Sequence, residues 1–563
     1  MKNFFKISIS AIALAGAVFA CNDSFLDTPP QAALSGETLG SSKNGVDATL
    51  ISAYKGLIGW TQNWNEQTWG TAPSNWTFNI ASDDHHKGSE PGDGDDMLQF
   101  ELFQWTPGSQ AVRSKWIATY EGIARANSAI RTASVFAEAN PSESAYTDVV
   151  IGEATFLRAY FHFEGYKVWK NIPYYFETDT DFRKPNDQPV LPLIIKDLET
   201  AISKVPADRG APGRVDKTVA QAYLGKAKLY AGDFAGAKTA FDAVINSGKY
   251  SLVDCFYDNF SVAGDNNSES IFAVQTSVND GDGDGSNSNF GERLALPHGS
   301  SPFGCCGFKN PTYDLAFAYK VDDKGLPVSV EGATLKRLTP DASEKLDPRI
   351  DWTMGRTDIP YLDWGVQKDD WIRGAGYAGW YSPKKNAHAA GDASLSGSWA
   401  GAQLSALNVE LMRYSDLLLM AAEVEVEVGS LEKAREYVNM IRKRAGNCAQ
   451  GQNAIAVPID SPEITWAKYS VGTYETPWTD KDAARKAVRL ERRLELALEG
   501  HRIFDLQRWG NYAQDMISYI NRESKLISFF ASGEKPTEKN IAYPLPSSEI
   551  DRSGGALKQN PGF

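Results

Sequence analysis

Three groups of side chains combine type and spacing in ways that carry chemistry, and the largest is aromatic. Trp64, Asn65 and Trp69 fall in a run that also holds Trp60, Asn63, Asn75 and Trp76, while Trp371, Arg373, Tyr377, Trp380 and Tyr381 cluster among glycines. Aromatic rings offer flat apolar faces that stack on the C–H faces of sugar rings, and Asn and Arg side chains satisfy the hydroxyls. The competing reading of any one of these residues is a loop pinned by its own buried ring. The second group is Gly304-Cys305-Cys306-Gly307, where neighbouring thiols could close a vicinal disulfide and stiffen the loop. We take Trp64, Asn65, Trp69, Cys305, Cys306, Arg373, Tyr377 and Trp380 as candidate ligand-binding residues. The third group is Asp280-Gly281-Asp282-Gly283-Asp284-Gly285. It resembles the opening of a calcium-binding loop, with carboxylates at positions 1, 3 and 5 and glycine at 6. Position 12, where a bidentate glutamate belongs, is Gly291, and Glu292 comes one later. Asp280, Asp282 and Asp284 are candidate ligands for a structural calcium; a flexible acidic turn is the other reading. No cofactor is required.

Other chemistries find little support. Asp83-Asp84-His85-His86 gathers metal-ligating types, but adjacent residues point apart, and nothing there has the i, i+4 spacing of a helical metal site. The six histidines are scattered, no Cys-x-x-Cys occurs, and no Ser, Cys or His constellation suggests a nucleophile. A glycoside hydrolase needs two carboxylates at a set separation, and 71 acidic residues supply pairs without identifying one. We assign no catalytic residue. A net charge of −14 argues against nucleic acid, whose backbone needs clustered cations; the basic residues at 485–493 are interleaved with glutamates.

The elements that must hold these residues are mostly helical. Spacing predicts helices over 41–58, 112–136, from 152 to about 170, and over 189–204. Residues 217–250 read as a tetratricopeptide-like helix pair around Tyr230-Ala231-Gly232-Asp233-Phe234, with small residues where the helices cross. A looser copy spans 408–446, turning at Gly429-Ser430. Between them, 251–407 is rich in Gly, Asn, Asp and Trp and has no long periodic helix beyond a stretch at 310–320, and irregular stretches of that length usually carry function. From Ala483 to Gly510 the chain is dense in charge. Ala487, Leu490, Leu494, Ala497 and Leu498 make an apolar face, Gly500 reads as the helix stop, and Arg492–Glu495 and Glu499–Arg502 have spacings for local pairs. We read this cluster as structural, fixing how helices dock.

At the N-terminus Lys2 and Lys6 precede an apolar run, Ile7 to Ala20, too short to span a membrane stably, which ends Val18-Phe19-Ala20-Cys21. This resembles a bacterial lipoprotein signal, cut before Cys21, the expected lipidation site. Residues 1–20 are then the signal peptide, 21–40 a lipidated tether and 41–563 one domain, its helical scaffold mainly 41–250 and 408–520 and its irregular lobe about 251–407. Pairing among Cys255, Cys305, Cys306 and Cys448 stays open.

Several stretches in order along the chain resemble the SusD/RagB family of surface lipoproteins from Bacteroidetes-type bacteria. They are the Cys21 start, Ser82-Asp83-Asp84 with Lys87-Gly88-Ser89, Trp116 through Arg125-Ala126-Asn127, Glu153 to Arg158-Ala159, and Leu346-Asp347-Pro348-Arg349. Further on come Arg413-Tyr414-Ser415-Asp416, Ile441-Arg442, Glu491 to Leu496 with Gly500-His501-Arg502, and the closing Gln559-Asn560-Pro561-Gly562-Phe563. The resemblance implies a mostly α fold, a tetratricopeptide-like scaffold with a loop-rich lobe. It also implies a non-catalytic lipoprotein of the outer-membrane surface that captures glycan and delivers it, as a lid, to a SusC-like TonB-dependent barrel. The alternatives are the same role for peptides or another nutrient, and a secreted glycoside hydrolase. Replacing Cys21 with Ala is expected to release the protein from membranes into the soluble fraction; membrane retention of that variant on fractionation would contradict the anchor.

Overall fold

Ser42 opens the first long helix by accepting the Gly45 amide, and helically spaced apolar residues carry it from Lys43 to Lys55 (α1), burying Val46, Leu50 and Ala53. The computed structural model describes residues 36–59, 69–281, 285–392 and 401–563; a short helix, Gly36–Leu39, already lies within the stretch read as a tether. Next come α2 (Gln110–Ala139), α3 (Ser144–Trp169), α4 (Leu191–Lys204), α5 (Lys217–Tyr230) and α6 (Phe234–Asn246), each packed on the one before it. Asp216 and Asp233 cap α5 and α6 by accepting amides in their first turns. Crossings are close because glycine stands at them. A Cβ on Gly122 of α2 would lie 2.6 Å from the Phe161 ring of α3, and one on Gly225 of α5 would lie 2.5 Å from Phe241 of α6.

Helices α7 (Tyr414–Val428) and α8 (Leu431–Ala445) form the second pair, with Ser430 capping α8. Although residues 251–407 separate the pairs in sequence, α6 packs directly on α7. The helices form one continued stack, and the intervening chain is looped out of it. That excursion leaves and returns through an antiparallel ladder, β1 (Ser270–Val274) against β2 (Val409–Arg413), with Ser270 opposite Arg413 and Val274 opposite Val409. A disulfide, Cys255–Cys448, with Cα atoms 5.5 Å apart, adds a second tie. Cys305 and Cys306 bond to each other. The lobe has a small apolar core of its own, including Phe256, Phe260, Leu296, Phe303, Trp352, Tyr361 and Trp371.

The charged stretch forms α9 (Lys481–Leu496), α10 (Arg502–Arg508) and, beyond it, α11 (Tyr512–Glu523). It differs from the sequence reading in three ways. First, Ala487 and Leu490 are only half-buried, whereas Glu491, Arg492, Arg493 and Glu495 are buried beside Ala484, Val488 and Leu494. Second, the local pairs do not form. Arg492 reaches Asp416 and Asp505 at 2.6 Å each, and Arg502 reaches Asp83 at 2.7 Å. Protein surrounds the C-terminal half of α9, so the charges there meet facing elements, while at its exposed start Arg485 still pairs with Asp482. Third, α9 ends at Leu496, before Gly500. Gly500 is needed for close approach instead, since its Cβ would lie 1.5 Å from the Ser74 carbonyl oxygen.

Glu491 forms ion pairs with Arg442 (2.7 Å) and Arg349 (2.8 Å). Glu495 meets Arg349 and Arg413 at 3.0 Å each, and also Arg444. Glu499 joins Arg413 (2.8 Å) and Lys385 (2.7 Å). Arg349 and Lys385 belong to the lobe, Arg413 to β2, and Arg442 and Arg444 to α8, so α9 bolts lobe to scaffold. Because removing one member of a buried ion pair leaves its partners uncompensated, Glu495→Gln should cost about 3–5 kcal/mol in urea unfolding. Lys433→Ala, in the exposed Lys433–Glu436 pair, should change stability by about 0.5 kcal/mol or less. Equal effects of the two substitutions would refute a structural role for the network.

Candidate functional site

The loop 369–381 alternates between anchors and half-exposed side chains. A 3-10 turn, Asp369–Trp371, sinks Trp371 into the lobe's apolar core, and the Trp371 carbonyl accepts the His298 amide at 2.8 Å. Arg373 follows, half-buried. Then a helical turn, Ala375–Ala378, presents Tyr377, whose ring centre lies 5.0 Å from that of Phe529 and 5.3 Å from Lys87 Nζ. Burial, then the charge of Glu101, raises the Tyr377 phenol's pKa, and its hydroxyl has no hydrogen-bond partner among the described residues. Trp380 is half-buried, with the Arg337 guanidinium 4.1 Å from its ring centre. Tyr381 turns inward, its hydroxyl accepting the Leu338 amide at 2.7 Å. Trp371 and Tyr381 therefore belong to the interior. Arg373, Tyr377 and Trp380 remain as the surface members.

Two other segments meet this loop. In one, Cys305-Cys306-Gly307 lies against Arg373 and His298: a Cβ on Gly307 (φ +79°) would sit 3.0 Å from Arg373 Cβ and 3.1 Å from His298 Cβ. Cys306 is buried and Cys305 half-buried, while Gly304 before them faces open space. In the other, residues 85–95 pair with 307–311 through bridges His85–Pro311 and Gly88–Phe308. There the Arg373 guanidinium bonds Asp93 at 2.7 Å and Glu90 as well. Lys87 is buried beneath, donating to the carbonyls of Gly88 (2.9 Å), Glu90 (3.0 Å) and Asp93 (2.6 Å). Burial, and then the positive charge of Arg373, hold the His298 imidazole below its usual pKa, so it is neutral at pH 7.

The structure thus brings together Cys305, Cys306, Arg373 and Tyr377, with Trp380 at the end of the same loop. Trp64, Asn65, Asp282 and Asp284 lie outside the described residues. Trp69 packs on the main core, its carbonyl accepting from Thr77 Oγ1 at 2.7 Å, and among the described residues no hydrogen bond or ring contact joins it to the 369–381 loop. Trp76 is fully buried, with its indole N–H on the Gly291 carbonyl, so it serves the core. The Asp280 carboxylate accepts from Ser277 and Asn287, and among the described residues no cluster of three or more His, Cys, Asp or Glu is placed to hold a metal. Sequence reasoning passed over His298, Glu90 and Asp93. Each sits in a short polar turn, and only the fold places them beside Arg373.

A stack of tetratricopeptide-like helix pairs carrying an irregular, aromatic-bearing lobe defines the class of protein. The chain belongs to the SusD family: the family model described as "SusD family" matches residues 268–563, and one described as "Starch-binding associating with outer membrane" matches residues 24–229. Among curated relatives it is similar to SusD-like protein P38 of Formosa agariphila, 25% identical over 553 residues, covering 92% of this chain and 94% of that one. A SusD-like protein of Bacteroides ovatus is 28% identical over 303 residues, 49% of this chain and 50% of the relative. Solved structures share the fold. One titled laminarin binding SusD-like protein superposes with a TM-score of 0.67 at 22% identity, covering 93% of this chain and 100% of its own. Surface glycan-binding protein A from Bacteroides thetaiotaomicron in complex with laminarihexaose gives 0.66 at 20%, covering 92% and 99%. The family expected from the sequence motifs and the mostly helical fold both hold.

The Asp-Asp-His-His run, meanwhile, is part of the frame. Arg493 and Arg502 hold Asp83 and Asp84. His86 lies fully buried between Glu101 (2.5 Å) and Glu523 (3.1 Å), and Glu523 also accepts the Tyr313 and Asp314 amides. Burial alone would lower the His86 pKa, but Glu101 and Glu523 outweigh it and push it up to about 9. A raised pKa means the stabilisation is complete below the unfolded value of about 6.5 and is lost as pH rises through about 9. At about 1.4 kcal/mol per unit it is of order 3 kcal/mol. The stability difference between wild type and His86→Gln, from urea midpoints, should therefore shrink from pH 6 to pH 10; a difference independent of pH would contradict a charged His86.

Proposed function

We propose that this chain is a cell-surface glycan-binding lipoprotein that captures oligo- or polysaccharide on the face formed by residues 298–307 and 369–381. On this reading it carries no catalytic activity, is held to the outer membrane by lipid on Cys21, and passes its glycan as a lid to a SusC-like TonB-dependent barrel. The observation that carries the reading is the SusD-family match over residues 268–563, which covers the lobe from residue 268 on and with it both loops of this face. Relatives described as laminarin binding, and as bound to laminarihexaose, support glycan as the cargo. The face supplies suitable chemistry. Tyr377 and Trp380 keep part of their rings at the surface, the Cys305–Cys306 pair adds an apolar edge, and Glu90, Asp93 and Arg373 line the rim with hydrogen-bonding groups.

Isothermal titration against a panel of oligosaccharides and peptides tests the cargo, and tight peptide binding without a glycan response would overturn it. New reducing ends appearing above a no-protein control would overturn the non-catalytic reading. For a glycan that binds, Trp380→Ala is expected to raise Kd about fivefold or more, a loss of about 1 kcal/mol or more, with the melting temperature nearly unchanged. If that variant unfolds, Trp380 belongs with Trp371 and Tyr381 in the interior.

A further inference from the structure

Resting on the glycan-capture reading, we infer that this face selects uncharged glycans and excludes polyuronates and sulfated polysaccharides. Recognition of a carboxylate or sulfate ester relies on a cation with free donors, above all the fork of an arginine. The guanidinium groups that the described residues bring to this face, and the buried lysine beneath it, are already committed. Arg373 is held by two carboxylates, Glu90 and Asp93. Arg337 is held by Asp369 and the Thr357 hydroxyl; Lys368, the exposed cation beside them, lies 3.4 Å from Asp358 and within a run of acids, Asp369 and Asp370. Lys87 is fully buried on three carbonyls. His298, the other group that could carry a charge, is neutral at pH 7.

The carboxylates, by contrast, reach solvent. The side chains of Glu90, Asp93 and Asp369 are 52%, 38% and 54% exposed, and Asp363 and Asp370 are exposed nearby. An anionic sugar approaching Arg373 would have to displace Glu90 and Asp93 or sit beside them as a third negative charge. Salt screens such repulsion only beyond about 8 Å at physiological ionic strength, and the net charge of −14 opposes a polyanion before contact. A neutral sugar meets no such barrier. Its hydroxyls can donate to the exposed carboxylate oxygens while its C–H face lies on the rings.

Native affinity electrophoresis of the purified protein at low ionic strength tests this, using gels cast with neutral polymers (laminarin, xyloglucan, starch) and acidic ones (polygalacturonate, alginate, chondroitin sulfate). Retardation confined to neutral gels is the expected result. Glu90→Gln/Asp93→Asn, which frees the Arg373 fork, should then gain about tenfold in affinity for polygalacturonate. If its melting temperature falls, Glu90→Gln alone, at the more exposed partner, takes its place. Wild-type retardation in acidic gels equal to or stronger than in neutral ones would overturn the selectivity and leave the receptor standing. Retardation by no polysaccharide, neutral or acidic, would overturn the glycan receptor itself and the selectivity with it.

Discussion

Glu495 lies buried among three guanidinium groups that come from three different places: Arg349 in the lobe, Arg413 in β2 and Arg444 in α8. A carboxylate taken out of water costs several kcal/mol unless it is met by opposite charge in good geometry, so all three segments must be in register before α9 can seat. Neighbouring Glu491 and Glu499 repeat the requirement with Arg442 and Lys385. Such networks add little net stability over apolar packing, but a misdocked arrangement leaves buried charges unpaired. The network therefore acts on which arrangement forms. It survives mild acid as well. Burial opposes ionisation of Glu499, yet Arg413 and Lys385 outweigh it and lower its pKa to about 2, so that charge and its stabilising pairs are lost only as pH falls toward that value.

With its base fixed in this way, the lobe can do without long helices. Its long irregular stretch would be expensive to order on its own. The β1–β2 ladder and the Cys255–Cys448 bond bring its two ends together, and Arg349 and Lys385 nail its middle to α9. What remains is local positioning. Trp371 and Tyr381 plug into the interior at either end of one loop, and the His298 amide on the Trp371 carbonyl joins that loop to the Cys305–Cys306 turn. Between the plugs Ile372 and Ala378 stay buried, and Arg373, Tyr377 and Trp380 are left half-exposed.

The helices were legible because a period of 3.6 sustained over a dozen residues, closed by caps such as Asp216, Asp233 and Ser430, has few alternatives. The two tetratricopeptide-like pairs were legible for the same reason, though their adjacency was not, since nothing local says that 251–407 loops out and returns. Charge partners failed differently. Pairing Arg492 with Glu495 follows a rule for helices facing water, and the C-terminal half of α9 is enclosed. The aromatic run 371–381 failed differently again. Trp371 and Trp380 are one residue type in one glycine-rich stretch, and the core around Phe303 and Tyr361 decides which of them is buried. Glu90 and Asp93 gave no signal, because their meaning depends on Arg373, which is far away in sequence.

The distribution of charge ties frame to face. The chain has 57 Lys and Arg against 71 Asp and Glu, and many of its arginines face inward: Arg349, Arg356, Arg413 and Arg442 are among its largest fully buried side chains. Cations used to fix the docking of helices and lobe are withdrawn from the surface, and the acids left outside are in excess. A dense run of arginine such as 485–493 would suggest anion binding if it lay in the open. Here Arg492 and Arg493 are turned inward and Arg485 is held by Glu427 and Asp482, and the proposed face is left with ring edges and carboxylate oxygens, which accept hydrogen bonds from hydroxyls and repel anions. The same residues that make the scaffold specific therefore narrow what its surface can hold.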